Sequence, residues 1–356
     1  NMSISGLTLR NALRGLEVRN GSDGLALSYI TVTGHAQDGM RVDTNAPFST
    51  FHHLTAYANT GRGIFIDGPI AGFTHGLADG NTTDGIVIDG TVGVVSDSVV
   101  RDNGGIGLYV SGPGAGARVE ANIAYRNNVG IQVYNSAGGA EAIVGQMDLS
   151  LGRGNRAYEN RQIGIQAAYN TRVAGNTIQN QTNTFSTGLS MFGGASASRN
   201  VVSGNYDGIS FSGGGDVTEN RVYDNDRYGI TGAGAIDRNV VYSNATNINA
   251  GGSSVLRNNL VYASVDYGIF LSGDSAQILG NTVHSTSGHA IRIQGSASNT
   301  RVRNNIVSVS TGDGLSVAAD SQSGFAADFN LFQTSGTGAV GMWQGVSRGS
   351  LVAWQN

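Results

Sequence analysis

The chain has no cysteine, no lysine and only three prolines among its 356 residues. Without cysteine, neither disulfide bonds nor cysteine-ligated metal centres can form. Because every basic residue is an arginine, a lysine general base and a Schiff base are also excluded. Charged residues make up 13% of the chain, and its net charge is −4. No basic stripe runs along the sequence, so we expect no nucleic-acid partner.

Long apolar runs are also missing. No stretch approaches the roughly 20 apolar residues that a transmembrane helix needs, so we expect no transmembrane segment. The chain begins at Asn1 without a signal peptide and in the middle of a repeated unit, where an open end would expose apolar surface. We therefore expect part of a longer protein that is secreted or carried on a bacterial cell surface.

Glycine, in contrast, is abundant, with 55 residues. Much of it belongs to a repeated pattern of glycine, apolar residue, variable residue and apolar residue. Its copies lie at 15–18, 39–42, 63–66, 85–88, 107–110, 130–133, 164–167, 188–191, 208–211, 268–271 and 314–317. The alternation with period two predicts a β-strand. The pattern returns roughly every 22 residues, which predicts a solenoid of stacked coils rather than separate globular domains.

A second recurring signature is an asparagine next to mostly apolar residues. It occurs at Asn122, Asn176, Asn200, Asn220, Asn239, Asn259, Asn281, Asn305 and Asn330. Asparagine tolerates the left-handed backbone of a tight corner, so stacked asparagines are expected to form a hydrogen-bonded ladder. With no stretch of helical periodicity, the two signatures predict an all-β fold, a right-handed single-stranded parallel β-helix of about 15 coils.

The β-helix is expected over residues 1–335, with residues 336–356 as a degenerate final coil, a cap or the start of a following segment. The unit that starts at residue 130 is about ten residues longer than its neighbours. Its excess, at 137–155, is expected to loop out of the stack, because insertions in solenoids map to loops. Segments 48–53 and 112–116 predict smaller bulges.

Candidate functional residues lie at the outward-facing positions of the glycine pattern. In a strand, the variable residue and the residue after the second apolar position point outward. Asp43, Asp67 and Asp89 occupy the latter position in three consecutive coils, so they should lie roughly 5 Å apart. Carboxylates this close favour a bound cation, with Ca²⁺ as the candidate, or acid–base chemistry. An aspartate at the end of a strand is also common turn chemistry, so a purely structural role remains open.

Cationic and aromatic side chains are concentrated in the same N-terminal coils. The predicted catalytic residues are Asp67, Asp89, Arg41 and His75, and the predicted substrate-binding residues are Asp43, Phe65, Tyr109, Tyr134 and Arg19. Aromatic faces beside carboxylates and arginine suit an extended sugar chain, which needs stacking, hydrogen bonds and acid–base groups. His52 and His53 are alternatives to His75, although adjacent strand residues face opposite sides and at most one can point into a given site.

The repeat resembles that of bacterial right-handed parallel β-helix proteins. The resemblance is carried by units such as 219–225, which reads Glu-Asn-Arg-Val-Tyr-Asp-Asn and leads into Tyr228-Gly229-Ile230. It covers about residues 1–335 and is similar to the repeat of mannuronan C5-epimerases, alginate lyases and pectin-acting enzymes. The resemblance implies a polysaccharide as the ligand or substrate.

The catalytic signatures of these families are absent from the chain. None of its prolines lies in the Asp-Pro-His-Glu motif of the epimerases, and the lysine used by several lyases is missing. The Gly-His-Gly and Arg-Ile-Lys signatures of polygalacturonases and the calcium-binding nonapeptide repeats are not found either. Only the three aspartates of polygalacturonases resemble the Asp43, Asp67 and Asp89 column. No catalytic residue is therefore carried over from the family.

Two functions fit these observations. The first is an enzyme, a lyase, epimerase or hydrolase that acts on an extracellular polysaccharide along the outer sheet. The second is a non-catalytic solenoid, a structural, adhesive or glycan-binding module of a larger surface protein. A trimer of the phage-tailspike type is a further arrangement.

Overall fold

The computed structural model of the chain describes residues 2–21, 24–45, 47–112, 114, 116–135 and 141–355. Two of the residues in the predicted 112–116 bulge, Pro113 and Ala115, lie outside the described residues, as does the start of the predicted insertion, 137–140. The chain divides into two compact units, Asn1–Ser196 and Ala197–Asn356.

In each unit, most turns of the chain contribute one strand to a front sheet and two strands to a back sheet. The front strands of the first unit are Leu16–Gly21, Met40–Thr44, Ile64–Asp67, Ile86–Asp89, Ile106–Ser111, Val129–Tyr134, Ile163–Ala168 and Thr187–Phe192. Those of the second unit are Asp207–Phe211, Tyr228–Gly232, Thr246–Ala250, Tyr267–Ser272, His289–Gln294, Asp313–Val317, Ala339–Trp343 and Val346–Arg348. Neighbours pair in parallel, except that Val346–Arg348 runs antiparallel to Ala339–Trp343.

The back sheet is built from shorter strands. In the first unit they are Met2–Ser5, Thr8–Arg10, Leu25–Thr33, Thr50–Tyr57, Ile70–Thr74, Leu77–Asp79, Val92–Ser96, Val99–Arg101, Arg118–Glu120, Ile123–Tyr125, Ala142–Gly145, Arg156–Tyr158, Thr171–Ala174 and Thr177–Gln179. In the second unit they are Val201–Ser203, Asp216–Thr218, Arg221–Tyr223, Ala235–Asp237, Val240–Tyr242, Val255–Arg257, Leu260–Tyr262, Gln277–Leu279, Thr282–Ser285, Arg301–Arg303, Ile306–Val309, Ala326–Asp328 and Leu331–Thr334. The strand Ser196–Ser198 contains the division between the units.

Within the described part of the chain, helical structure is limited to three short segments. These are two 3₁₀ turns, Leu149–Leu151 and Ala319–Ser321, and the α-helix Leu351–Gln355. No helix among the described residues is both long and apolar enough to cross a membrane. The chain is therefore an all-β parallel solenoid of about 14 turns, which confirms the predicted fold class.

The core consists of apolar side chains that repeat in register from turn to turn. Met40, Ile64, Ile86 and Leu108 occupy equivalent positions of adjacent front strands, and each is fully buried. Burial of such a side chain stabilises the fold by roughly 2 kcal/mol. The alternation in the glycine pattern therefore directs two residues of each strand that carries it into this core.

The repeated glycine is required by close packing between turns. A Cβ atom at Gly63 would lie 2.6 Å from the carbonyl oxygen of Gly85 and 2.7 Å from the side-chain nitrogen of Asn81. Distances this short are incompatible with any larger residue unless the backbone moves. The glycine pattern thus marks where a front strand meets a buried asparagine.

Those asparagines form two ladders rather than the single one predicted. In the predicted ladder, Asn122 donates from its backbone and side chain to Asn155, which donates to Asn176. The predicted asparagines of the second unit from Asn220 to Asn330 are linked in the same way. A second ladder in the first unit links Asn59, Asn81, Asn103, Asn127 and Asn160.

The predicted insertion at 137–155 is partly wrong. Ala142–Gly145 is a back strand that pairs with Thr171–Ala174, and Asn155 is fully buried in the first ladder. Among the described residues of the insertion, the segment between them leaves the stack, and it contains the 3₁₀ turn Leu149–Leu151 with two exposed leucines. The sequence spacing showed the excess length but not the strand hidden inside it.

Candidate functional site

The front face of the first unit carries the predicted aspartates in a single column. Asp43 pairs in register with Asp67, and Asp67 pairs with Asp89. Asp67 and Asp89 are exposed, and neither makes an ion pair or a side-chain hydrogen bond within the described part of the chain. Asp43 is half-buried and lies 3.3 Å from the guanidinium of Arg41. Two uncompensated carboxylates therefore lie next to a paired one.

The arginines of this face are partly neutralised by carboxylates. Arg19 and Arg14 both contact Glu17, at 2.9 Å and 2.8 Å. The hydrogen bond from Arg19, together with the charges of both arginines, lowers the pKa of Glu17 despite the opposing effect of burial. Arg19 stays largely exposed, so it can contact a ligand from one side while Glu17 holds the other.

Phe65 does not offer the exposed ring that the sequence predicts. Its side chain is only 8% exposed. The guanidinium of Arg62 covers its ring at 3.8 Å from the centroid, and that of Arg41 lies at 4.9 Å. Arg62 is fixed in turn by an ion pair with Asp38. The expected role of Phe65 in sugar stacking is corrected, since the ring instead supports the two arginines.

His75 is not part of the aspartate column. It follows the back strand Ile70–Thr74, whereas Asp67 ends the front strand before it. The two residues therefore lie at opposite ends of that back strand, about 17 Å apart along its length. His75 stacks instead on His53, with ring centroids 4.6 Å apart. The prediction that His75 acts beside Asp67 and Asp89 is not supported by this placement.

Aromatic side chains extend the aspartate column towards the end of the first unit. Register pairing continues from Asp89 through Ser111, Tyr134 and Ala168 to Phe192. The whole column from Asp43 is about 29 Å long at the usual strand spacing. It joins an acidic half to an aromatic half on one face.

The aromatic half is a connected cluster. The ring of Tyr134 lies edge-on to Tyr109 at 6.0 Å and to Phe192 at 5.4 Å, and Tyr169 lies 6.1 Å from Phe192. The hydroxyl of Tyr134 donates to Gln166 at 3.0 Å. Burial raises the pKa of the Tyr134 phenol, so the hydroxyl stays protonated and can donate. We call Tyr109, Tyr134, Tyr169 and Phe192 the aromatic cluster.

Sequence reasoning identified Tyr109 and Tyr134 but missed Phe192, Tyr169 and Gln166. Phe192 occupies the same outward position at the end of its strand as Asp89, so the repeat alone could have revealed it. Gln166 stands at the variable position of its strand. Tyr169 lies in the bend after Ile163–Ala168 and has a left-handed backbone, with φ of 60°. No periodic signal in the sequence marks a residue in that bend.

No group of three or more His, Asp or Glu residues suited to hold a metal ion is found among the described residues. The expected Ca²⁺ site at Asp43, Asp67 and Asp89 therefore stays a prediction that rests on their register alone. Adjacent carboxylates on strands are separated by the strand spacing, and calcium needs six to eight oxygen ligands. The column by itself supplies only part of such a set.

An aromatic cavity of about 410 Å³ lies in the second unit. Phe325, Trp343, Gln344, Arg348 and Trp354 line it, and the two tryptophan rings meet edge-to-face at 6.0 Å. Both tryptophans of the chain are therefore near its C-terminal end.

Together these features define a parallel β-solenoid with an acidic and aromatic outer face. The family model for the right handed beta helix region matches residues 79–231 and 187–332. The chain belongs to this family, in agreement with the predicted handedness. No curated protein sequence matches the chain.

Several solved structures are similar to the chain at low sequence identity. The A-module of mannuronan C-5 epimerase AlgE4 from Azotobacter vinelandii is 15% identical, with 95% of this chain and 88% of that chain covered and a TM-score of 0.32. A PL6 alginate lyase is 11% identical over 98% and 87% of the two chains, with a TM-score of 0.46. The Dettilon tailspike protein is 14% identical over 87% and 62%, with a TM-score of 0.40. Because these scores are low, the functional argument rests on the residues of this chain.

Proposed function

We propose that the first unit binds an extended polysaccharide along its front face. The observation that carries this proposal is the continuous column from the aspartates to the aromatic cluster. Sugar rings stack on aromatic faces, and their hydroxyl groups donate to carboxylates and accept from arginine. A face about 29 Å long offers these groups over several consecutive strands, which suits a polymer better than a small molecule.

Chemical modification of the polymer is the second part of the proposal. Asp67 and Asp89 are exposed, lie on adjacent strands and have no partner within the described residues. Paired carboxylates are the usual groups for protonating a glycosidic oxygen or activating water. Arg41, fixed by Asp43 and Phe65, is placed to stabilise negative charge on the substrate. The alternative is a glycan-binding module without catalysis, in which the same face binds and releases the polymer unchanged.

The binding proposal is tested with Tyr134→Ala, since loss of one stacking ring should weaken binding of an oligosaccharide about tenfold. Tyr158→Ala is the matched control, because Tyr158 also stacks on a tyrosine in the first unit but belongs to the back sheet. Alginate, pectin and neutral glycans serve as ligands in calorimetry. Equal loss in both variants, or no binding by the unmodified protein, would refute the proposal.

Catalysis is measured separately on the same polymers, by ultraviolet absorbance for unsaturated products, by reducing ends for hydrolysis and by NMR for epimerised units. Asp67→Asn and Asp89→Asn should abolish product formation while binding persists. Binding without any product from the unmodified protein would favour the non-catalytic module. We further propose that the protein acts outside the cell, where such polymers are found.

A further inference from the structure

A second candidate site lies on the front face of the second unit, where three adjacent strands contribute two side chains each. Tyr267 and Phe270 stand on the first strand, and His289 and Arg292 pair with them in register on the second. On the third strand, Ser316 pairs in register with Arg292. Asp313, three residues before Ser316, lies next to His289.

Asp313 and Ser316 on the third strand contact His289 and Arg292 on the second strand. The Nδ1 atom of His289 lies 2.9 Å from the carboxylate of Asp313, and the Asp313 side chain is only 5% exposed. The carboxylate and the backbone N–H of Asp313 both lie within hydrogen-bond distance of Nδ1 and fix the orientation of the ring, so Nε2 is left to face a ligand. His289 itself is 28% exposed. The imidazole of His289 is therefore oriented by Asp313 on its Nδ1 side and remains accessible to a ligand.

Arg292 is held by neutral partners. Its Nη1 atom donates to the hydroxyl of buried Ser316 at 2.5 Å, and its Nε atom donates to Gln294 at 3.1 Å. No carboxylate pairs with Arg292 anywhere in the described part of the chain, although most arginines of the second unit have such a partner. A half-buried guanidinium in a fixed position, with its charge uncompensated, is suited to bind an anion.

The aromatic pair provides the apolar wall beside these groups. The rings of Tyr267 and Phe270 are 5.3 Å apart, so side chains three residues apart on these strands reach one another. The ring of Tyr267 also stacks on His289 at 5.9 Å and 11°. His289 and Arg292 are also three residues apart and pair in register with Tyr267 and Phe270. One ligand a few ångströms across can therefore contact both His289 and Arg292.

We propose that this patch binds an acidic sugar residue. Its acid group would pair with Arg292, a hydroxyl would hydrogen-bond Nε2 of His289, and its apolar face would rest on Tyr267 and Phe270. The proposal concerns the second unit alone, and it does not depend on polysaccharide binding by the first. Asp313 and Ser316 are positioning residues in this arrangement.

The test is calorimetric titration of the whole chain with trigalacturonate and with the neutral galactotriose. We expect the acidic probe to bind at least tenfold more tightly, and Arg292→Gln to remove that preference. Arg301→Gln is the matched control, since Arg301 is an exposed arginine of the back sheet in the same unit and has no ion pair with any described residue. Arg292→Lys should restore only part of the preference, because lysine keeps the charge but loses the planar fork.

The same titrations in Tyr134→Ala separate the two sites, since binding that depends on Arg292 should persist in that variant. His289→Gln should weaken both probes, because Nε2 contacts a hydroxyl that both contain. Circular dichroism of each variant checks that it is folded. Equal affinity for the two probes, or equal losses in Arg292→Gln and Arg301→Gln, would overturn the proposal. So would an Arg292-dependent preference that disappears in Tyr134→Ala.

Discussion

The imidazole rings of His53 and His75 lie parallel, with their centroids 4.6 Å and their planes 3° apart. Tyr29 extends the stack on the other side of His53 at 4.7 Å. All three residues occupy equivalent positions of successive turns with a left-handed backbone, at φ between 53° and 57°. Such a backbone is costly for side chains other than glycine and asparagine. Ring stacking between turns offsets part of this cost.

This stack predicts a pH-dependent stability. Burial lowers the pKa of His53 below its ordinary value of 6.5, and the charges of His75 and His52 lower it further. The unfolded chain therefore takes up this proton at a higher pH than the folded protein. Because unfolding binds a proton in this window, stability falls as the pH drops below about 6.5. Thermal unfolding should occur at a lower temperature at pH 5.5 than at pH 7.5.

His53→Gln tests the origin of that shift and should reduce the difference between the two pH values. His284→Gln is the control, because His284 is exposed on the back sheet of the second unit. A pH dependence that is unchanged in His53→Gln would show that other groups cause it.

The second asparagine ladder predicts a large effect of a single buried amide. Asn127 accepts from Asn103 and donates to Val100 and Asn160, and it is fully buried. Asn127→Ala leaves these groups unpaired and should lower the free energy of unfolding by about 3 kcal/mol. Asn128→Ala, at a half-exposed neighbour, should change it by less than about 0.5 kcal/mol. Denaturant unfolding measures both, and similar values would contradict the ladder's importance.

The close approach at the repeated glycines predicts that even a methyl group is destabilising. A Cβ atom at Gly85 would lie 2.5 Å from the carbonyl oxygen of Gly107 and 2.8 Å from the side-chain nitrogen of Asn103. Gly85→Ala should therefore cost about 2 kcal/mol or more. Gly349→Ala introduces the same methyl group where no atom lies within 4 Å. Thermal unfolding should separate the two variants, and an unaffected Gly85→Ala protein would refute the packing argument.

The aspartate column predicts a small gain in stability at the expense of function. Asp67 lies in register between two other carboxylates, and like charges opposite one another on adjacent strands are destabilising by roughly 0.2–1 kcal/mol. Asp67→Asn should raise stability by about 0.5 kcal/mol and abolish turnover of the polymer. Asp226→Asn removes an exposed aspartate of the second unit as a control. If Asp67→Asn leaves both stability and turnover unchanged, Asp67 is a turn residue.

The fold was predictable because the repeat states it many times. Each copy of the glycine pattern predicts two core residues. Where one copy is irregular, the next copy still indicates the register. The register of Asp43, Asp67 and Asp89 followed from the same spacing. The second ladder was missed because Asn59, Asn81 and Asn103 precede the glycine by several residues without a constant apolar neighbour.

The site was less predictable because the exposure and the contacts of each side chain depend on residues in the adjacent turns. Nothing in the sequence near Phe65 shows that Arg62 covers its ring. His75 follows a back strand, and the length of that strand sets its distance from the front sheet. The glycine pattern does not show this length. The His289–Asp313 contact joins residues one turn apart, and the sequence offers only their similar positions before a strand.

The two ladders have a consequence for how the chain tolerates changes in length. Asn103 is linked to Asn127 across 24 residues, whereas Asn127 is linked to Asn160 across 33. The extra residues leave through the segment that contains Leu149–Leu151, and both ladders continue beyond it. The position of the ladder asparagines relative to the strands is therefore kept from turn to turn, whereas the number of residues per turn is not. A foreign peptide placed in that segment should be displayed on the surface without disturbing the turns on either side.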